Sequence, residues 1–403
     1  MNTATGRSAT AVTFDRLMPT RRFGPNFGKL FAAALLQEAS FFLMVHFPGY
    51  LDGLGITESV IGALYAAAAI LALAFRPALG RILDLTHRRT VLLVAGMLNA
   101  LVLLGLALTP EWGPVLWALF LAQRVFQVAL FTTMLTYEAD SLPIENRTQG
   151  LALFGLSGLF PVALGGVAGD LVVNAFDFAA LFLLAAVASI TSWLLVLRLP
   201  LLPVLGRRPR RGFWHALAQR NLLPMWWVTL FLGIGMETVF TFTRTYVDDR
   251  GIGSAGLFFG VYGMVAASMR IIGGRHYDHL PQRTLIVVAL LAYGLGMGLM
   301  ATAGSIVVLV AAAVSSGLAH GAIFPILTSQ VVGRARTAER GSAMSIFTSI
   351  FDIALLFAAP TVGALIDGFD YRVAFASVAV ALVLGAAVYA LWDRRIVAAA
   401  AAV

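Results

Sequence analysis

The stretch Arg76-Pro-Ala-Leu-Gly80-Arg81-Ile-Leu-Asp84 returns further along the chain as Arg270-Ile-Ile-Gly-Gly274-Arg275-His-Tyr-Asp278. The register holds beyond the acid, where Arg89-Thr90 is answered by Arg283-Thr284. Each matched position is displaced by 194 residues (76 to 270, 84 to 278, 89 to 283), nearly half of the 403-residue chain. A duplication of that size, with one charged loop at matching places, reads as two copies of one membrane bundle. Parallel repeats about an axis along the membrane normal are one plan on which transporters are built.

Composition agrees. Hydrophobic residues make up 60% and charged residues 12% of the chain, and mean hydropathy is +0.87. A soluble domain carries about 25% charged residues, so that class is excluded. A helix crossing a bilayer needs about 20 apolar residues. Runs of that kind fall near 27–50, 57–79, 90–109, 113–137, 148–172 and 178–199, and again near 223–247, 253–274, 284–303, 305–332, 342–366 and 372–392. The alternating segments of about ten residues that mark a membrane barrel are too short to fit them. The expectation is an all-α membrane protein of about twelve transmembrane helices in two pseudo-symmetric six-helix bundles. The bundles should occupy 27–199 and 223–392, with a Pro- and Arg-rich cytoplasmic linker at 200–222 and cytoplasmic tails at 1–26 and 393–403. Within the linker, Trp214 and His215 suit a short interfacial helix. The first 26 residues lack an apolar run followed by a small-residue cleavage site, so they read as a tail and not as a signal peptide.

The formal net charge is +8, but its distribution argues against a nucleic-acid partner. Arginines gather at the N-terminus, at every second loop and at the C-terminus, whereas the intervening loops hold Arg250 and Arg372 against nine carboxylates. This positive-inside bias sets an even number of spans with both termini in the cytoplasm. The chain has no cysteine, which excludes disulfides and thiolate metal sites. No phosphate-binding Gly-x-x-x-x-Gly-Lys loop and no His-Glu-x-x-His cluster occurs. No nucleophile–base pair stands out either, so no cofactor, no metal and no enzymatic activity are expected.

Twelve spans, a six-plus-six duplication and the loop GRILDLTHRRTVLL together resemble the major facilitator superfamily over essentially the whole chain. In that family the loop after the second helix follows Gly-x-Leu-x-Asp-Arg-x-Gly-Arg-Arg/Lys. This chain supplies Gly80, Asp84, Arg88 and Arg89, with Leu85 and His87 where a basic residue and a glycine are usual. The second copy supplies Gly274, Asp278 and Arg283, with Pro281 at the glycine position. The glycine lets helices approach closely, and the acid can face the positive end of a helix in the other half. Asp84 would meet the start of the eleventh helix near Gly341, and Asp278 the start of the fifth near Gly150. The neighbouring arginines are placed to pair with Asp140 or Glu138. The resemblance implies a cytoplasmic gating latch that favours an outward-open state within an alternating-access cycle. A second family pattern, Arg-x-x-Gln-Gly on the fourth helix, reads Arg124-Val-Phe-Gln127-Val here. The exporter-associated Gly-Pro-x-x-Gly-Gly bend of the fifth helix reads Gly158-Leu-Phe-Pro161-Val-Ala-Leu-Gly165-Gly166, one residue longer and without the glycine before proline.

An ionisable side chain deep in a span costs at least about 2.5–3.5 kcal/mol, which makes each a functional candidate. Glu38, Arg124, Glu237, Arg244 and Asp352 are the five. The seventh helix carries Glu237, Thr241, Arg244 and Asp248 at four-, three- and four-residue spacing, one helical face. Ser342, Ser345, Ser349 and Asp352 form another on the eleventh, and Ser316, His320 and Gly321 a third on the tenth. With Gln37, Glu38 and His46 on the first helix, four polar stripes are expected around one watery cavity. Glu38 is the first choice for a proton carrier and Asp352 the second. Arg124 either compensates one of these acids or holds an anionic substrate group. His46 and His320 read as packing residues, and Asp248 as a solvated loop charge.

The leading functional expectation is a proton-coupled antiporter exporting small organic, drug- or metabolite-like compounds. It would work as a monomer in a bacterial inner membrane, with lipid as its surroundings. An uptake symporter or facilitator of the same fold, a lipid transporter and a non-transporting membrane sensor are the alternatives.

Overall fold

The computed structural model describes residues 23, 26–109, 111–142, 150, 153–202, 213–273, 280–336 and 339–401, without the side chains of Asp84, Phe213 and residues 394–401. Hydrocarbon offers the backbone no water, and a helix satisfies its N–H and C=O groups within its own segment. Twelve described helices are long and apolar enough to cross a bilayer. The first six are α1 (Phe27–Gly53), α2 (Glu58–Leu85), α3 (Arg88–Ala107), α4 (Pro114–Ser141), α5 (Leu156–Ala175) and α6 (Phe178–Val196). The second six are α7 (Leu223–Arg250), α8 (Ala255–Gly273), α9 (Gln282–Thr302), α10 (Ile306–Arg334), α11 (Arg340–Gly368) and α12 (Tyr371–Ala401). A short helix, Phe213–Ala218, lies between the two sets and packs on α11.

Local chemistry sets the ends. The carboxylate of Asp177 accepts the Ala180 N–H at 2.7 Å, and that of Asp370 the Val373 N–H at 2.8 Å, capping α6 and α12. Gly251 closes α7 at φ 61°, a left-handed conformation that glycine adopts without a Cβ clash. All twelve predicted spans appear, but several helices outrun their apolar cores. α2 continues beyond residue 79 to Leu85 and α4 beyond 137 to Ser141. Hydropathy measures the oily thickness, whereas the hydrogen-bond ladder continues into the charged turns. Arg76 and Arg81 therefore lie on a helix, not in a loop.

The first six helices form one bundle and the second six the other. Across the seam α2 packs along α11 and α5 along α8, while α1 meets α7. The twelve described spans bring the start of α1 and the end of α12 to one face, the terminal face; the opposite one is the far face. In the far half, glycines bring the bundles to backbone contact. A Cβ on Gly62 would stand 2.3 Å from the Ala359 carbonyl oxygen, and one on Gly363 2.2 Å from that of Glu58. On the α5–α8 side, a Cβ on Gly263 would stand 2.6 Å from the Ala163 nitrogen. At the terminal end of α11 a Cβ on Gly341, near where Asp84 was expected to meet that helix, would meet nothing within 4 Å.

Candidate functional site

At the far face the last turns of α5 and α11 carry Asp170 and Asp367. Asp170 Oδ2 accepts the Gly256 N–H at 2.6 Å, in the first turn of α8. Asp367 accepts the N–H groups of Glu58 and Ser59 at 3.1 and 2.9 Å, in the first turn of α2. The two contacts are counterparts: 170 to 367 and 59 to 256 are both steps of 197 residues. The first N–H groups of a helix lack intrahelical partners, and its positive end favours an anion. Because acid and helix belong to opposite halves, each contact ties the bundles together.

Arg244 of α7 joins the lattice. It donates to Asp170 Oδ1 at 2.8 Å, to Asp248 Oδ2 at 2.7 Å and to His46 Nδ1 at 3.1 Å. His46 Nε2 donates to the Gly166 carbonyl at 2.9 Å. Arginine only donates, so Nδ1 must accept and the imidazole carries its proton on Nε2. On the α2–α11 side the Tyr371 hydroxyl donates to the Glu58 carboxylate. This corrects one expectation: Arg244 belongs to the far-face lattice and not to a central cavity, with Asp248, exposed near the end of α7, as its ion-pair partner.

One turn toward the centre, aromatic rings from both halves meet. Phe42 of α1 lies 5.7 Å from Phe240 of α7, which stacks on Phe259 of α8 at 5.7 Å. Phe41 packs edge-on against Phe42 at 5.2 Å. The glycines of the fifth-helix pattern make room for this layer. A Cβ on Gly165 would stand 2.6 Å from the Phe42 backbone, and one on Gly166 2.5 Å from Phe259 Cβ. α5 runs through Pro161 as uninterrupted helix, and the glycines of the motif serve close packing.

Beyond the rings lie the central charges. Glu38 is buried, and its Oε1 accepts the Gln127 amide at 3.1 Å. Gln127 in turn accepts from Gln37, Gln37 from Ser189, and Ser189 from Asn99, at 3.0–3.1 Å. The chain thus crosses α1, α4, α6 and α3 of the first bundle. Arg124 lies with its guanidinium 5.1 Å from the centre of the Phe41 ring and 5.3 Å from that of Tyr65. Across the seam, Glu237 lies on α7 one helical turn before Phe240, the ring that meets Phe42. Neither Arg124 nor Glu237 makes a hydrogen bond or ion pair among the described residues. Both are partly exposed.

Asp352 is engaged. Its Oδ2 receives Arg76 Nε and Nη2, each at 2.6 Å, while Arg76 also reaches the Thr348 hydroxyl and carbonyl at 3.3 Å. The duplicate of this contact joins Arg270 to the Gly155 carbonyl at 3.2 Å, since 76 to 270 is the motif offset and 155 to 352 the lattice offset. In the first half a carbonyl thus stands where the second half has an acid.

Other predicted residues lie elsewhere. His320 Nδ1 pairs with the Tyr262 hydroxyl at 2.7 Å, and Ser316 abuts Gly296. The α10 stripe is thus buried against α8 and α9, and only three of the four predicted stripes border the seam. The Ser349 hydroxyl bonds back to the Ser345 carbonyl at 2.8 Å. Thr241 is buried, with no partner for its hydroxyl among the described residues. In the terminal-face motif Gly80 lies on α2, whereas Gly274, Asp278 and the Asp84 side chain lie outside the described residues. Arg88 Nε stands 3.1 Å from Asp140 Oδ2, the pairing expected of it. Arg89 and Arg283 do not reach across the seam. Arg89 donates to Leu197 O at 2.6 Å, at the end of α6, and Arg283 to Ala390 O within α12, so each binds the last helix of its own bundle.

The residues missed from sequence are Arg76, Asp170, Glu58, Asp367, Tyr371 and Tyr65. A signal for two of them was available. Gly166-Val-Ala-Gly-Asp170 and Gly363-Ala-Leu-Ile-Asp367 repeat a glycine and an acid four residues apart, 197 residues on.

Comparisons with known proteins bear on this arrangement. The family model described as Major Facilitator Superfamily matches residues 30–306 and, overlapping it, 278–401. An uncharacterised MFS-type transporter of Burkholderia mallei is 27% identical over 360 residues, covering 86% of this chain and 87% of that protein. One from Salmonella typhimurium is 28% identical over 163 residues, 40% of this chain and 42% of its own length. Among solved structures, a POT family transporter in complex with 5-aminolevulinic acid superposes with TM-score 0.78 at 14% identity, over 93% of this chain and 98% of that one. The nucleoside transporter NupG does so with TM-score 0.72 at 15% identity, over 92% and 99%. At such identities the likeness is one of fold.

Proposed function

The chain belongs to the major facilitator superfamily, and from that premise we propose that it is a proton-coupled antiporter exporting small organic compounds by alternating access. It is an integral membrane protein and a transporter by family. The proposal adds a monomer in a bacterial inner membrane with both termini cytoplasmic, which makes the terminal face the inner one. The positive-inside charge and the bacterial sources of its relatives support that placement.

The observation that carries the coupling is the environment of Glu38. Its carboxyl is buried, makes one hydrogen bond to an amide, and has no cationic partner among the described residues. A carboxyl held that way can exchange a proton when the cavity is wetted, since no fixed positive charge pins it as an anion. Asp352, tied to Arg76 across the seam, suits a different part. Its ion pair would have to break or slide as α2 and α11 move. The lattice of Asp170, Arg244, Asp367 and Glu58 supports a state closed on the outside and opening inward. Export is read from the Pro161, Gly165 and Gly166 pattern, which the family resemblance associates with exporters.

The test is lumenal pH in proteoliposomes carrying a proton gradient, while a panel of amphipathic cations, anions and zwitterions is added. Substrate-driven proton exchange by the wild type and its loss in Glu38→Gln are expected. Exchange that survives the substitution would remove Glu38 from the role, and proton movement in the same direction as substrate would make the protein a symporter.

A further inference from the structure

Two charges at the centre of the seam lack the partners that such charges normally have. Arg124 comes from the first bundle and Glu237 from the second. Each is partly exposed between the bundles, and neither has a hydrogen bond or ion pair among the described residues. Glu237 stands one helical turn before Phe240, whose ring meets Phe42 across the seam, while Arg124 lies against Phe41 beside it, and no salt bridge joins the two charges among the described residues. Intramembrane charges ordinarily pair with one another or with backbone carbonyls. Two opposite charges, one from each bundle, that do not pair with one another give the seam a positive and a negative wall.

The surroundings say what would fill it. Arg124 has the Phe41 and Tyr65 rings against its guanidinium, at 5.1 and 5.3 Å from their centroids. The guanidinium N–H donors, which make no hydrogen bond among the described residues, match a carboxylate or phosphonate in two-point geometry. Phe41, Phe42 and Phe240 form an apolar wall that runs from Arg124, against Phe41, to Phe240, one turn from Glu237. Resting on the reading of this seam as the transport cavity, we propose that Arg124 and Glu237 form a substrate site for a small amphipathic zwitterion. Arg124 takes its oxyanion, Glu237 its ammonium group, and the Phe41–Phe42–Phe240 wall its apolar body.

The test is equilibrium binding to the purified full-length protein, read by calorimetry, and therefore independent of coupling. The probes are amino acids and aminoalkylphosphonates graded in size, together with phenylalanine, phenylalanine amide and 3-phenylpropanoate as a matched set. Binding by at least one zwitterion is expected, with about tenfold loss or more when either charge is deleted from it. Arg124→Gln should abolish the preference for that zwitterion over its amide, and Glu237→Gln the preference over its deaminated acid. Folding of each variant is checked by its melting temperature, and Arg124→Lys should retain part of the affinity. Equal or tighter binding of the amide by wild type, a preference that survives Arg124→Gln, or no binding across the zwitterion series would each overturn the proposal. Proton-coupled export of cations alongside any of these results would leave the transport reading standing and remove only this one.

Discussion

Arg76 and Asp352 show how one residue can be misread when only its neighbourhood in sequence is visible. Arg76 stands in a run of arginines that sets topology, and it looked like one more of them. Folded, it lies on α2 and reaches α11, 276 positions away, with two 2.6 Å contacts to Asp352. No local pattern announces a partner at that distance. Asp352, by contrast, was legible because a carboxylate inside an apolar span needs a reason. Removing one member of such a pair strands the other, so Arg76→Gln should lower stability by about 2–3 kcal/mol, less than a fully buried pair because both side chains touch the cavity. The double change Arg76→Met with Asp352→Leu should recover most of the lost melting temperature while transport stays impaired. Gln127 is a second residue whose role is now specific, since it both accepts from Gln37 and donates to Glu38. Gln127→Leu leaves two buried groups without partners, and a loss of about 1–3 kcal/mol for each is expected, seen as a lower melting temperature in detergent.

At the scale of the helix, α2, α5, α8 and α11 were predictable as spans because hydropathy measures what the bilayer demands. How they meet was not, because the contact depends on glycines and acids whose partners lie in the other half. Gly363 is the sharpest case. Its missing Cβ would stand 2.2 Å from the Glu58 carbonyl oxygen, so Gly363→Val cannot keep α11 against α2 at the far face. Overpacking of that kind costs about 1–3 kcal/mol. Here the cost falls on the far-closed state alone, which corresponds to a shift of about five- to 150-fold in the balance of states. A single cysteine placed at Phe41, in a chain that has none of its own, reports the shift. Labelling by a membrane-impermeant maleimide from the far side should accelerate in Gly363→Val. An unchanged rate would mean that the α2–α11 contact does not control access.

For the whole molecule, the duplication read from the charged loop reappears as two sets of equivalent contacts. Asp170 on α8 mirrors Asp367 on α2, and Arg270 with Gly155 mirrors Arg76 with Asp352. The architecture was thus legible from one motif and a constant offset. The site was legible only in part: Glu38 is buried against Gln127 and Asp352 reaches across the seam to Arg76, while Arg244 lies in the far-face lattice and His320 in the interior of the second bundle. On this reading, paired acid-to-helix-start contacts hold the far face shut while the terminal face opens, and the two ends move reciprocally. Spin labels on cysteines at Asn174 and Arg372 would report the far face, and at Leu85 and Arg340 the terminal face, by pulsed electron–electron distance measurement in nanodiscs. In Asp170→Asn/Asp367→Asn the far-face distance should lengthen and the terminal-face distance shorten. Distances that stay fixed, or that lengthen together at both faces, would contradict the reciprocal gate.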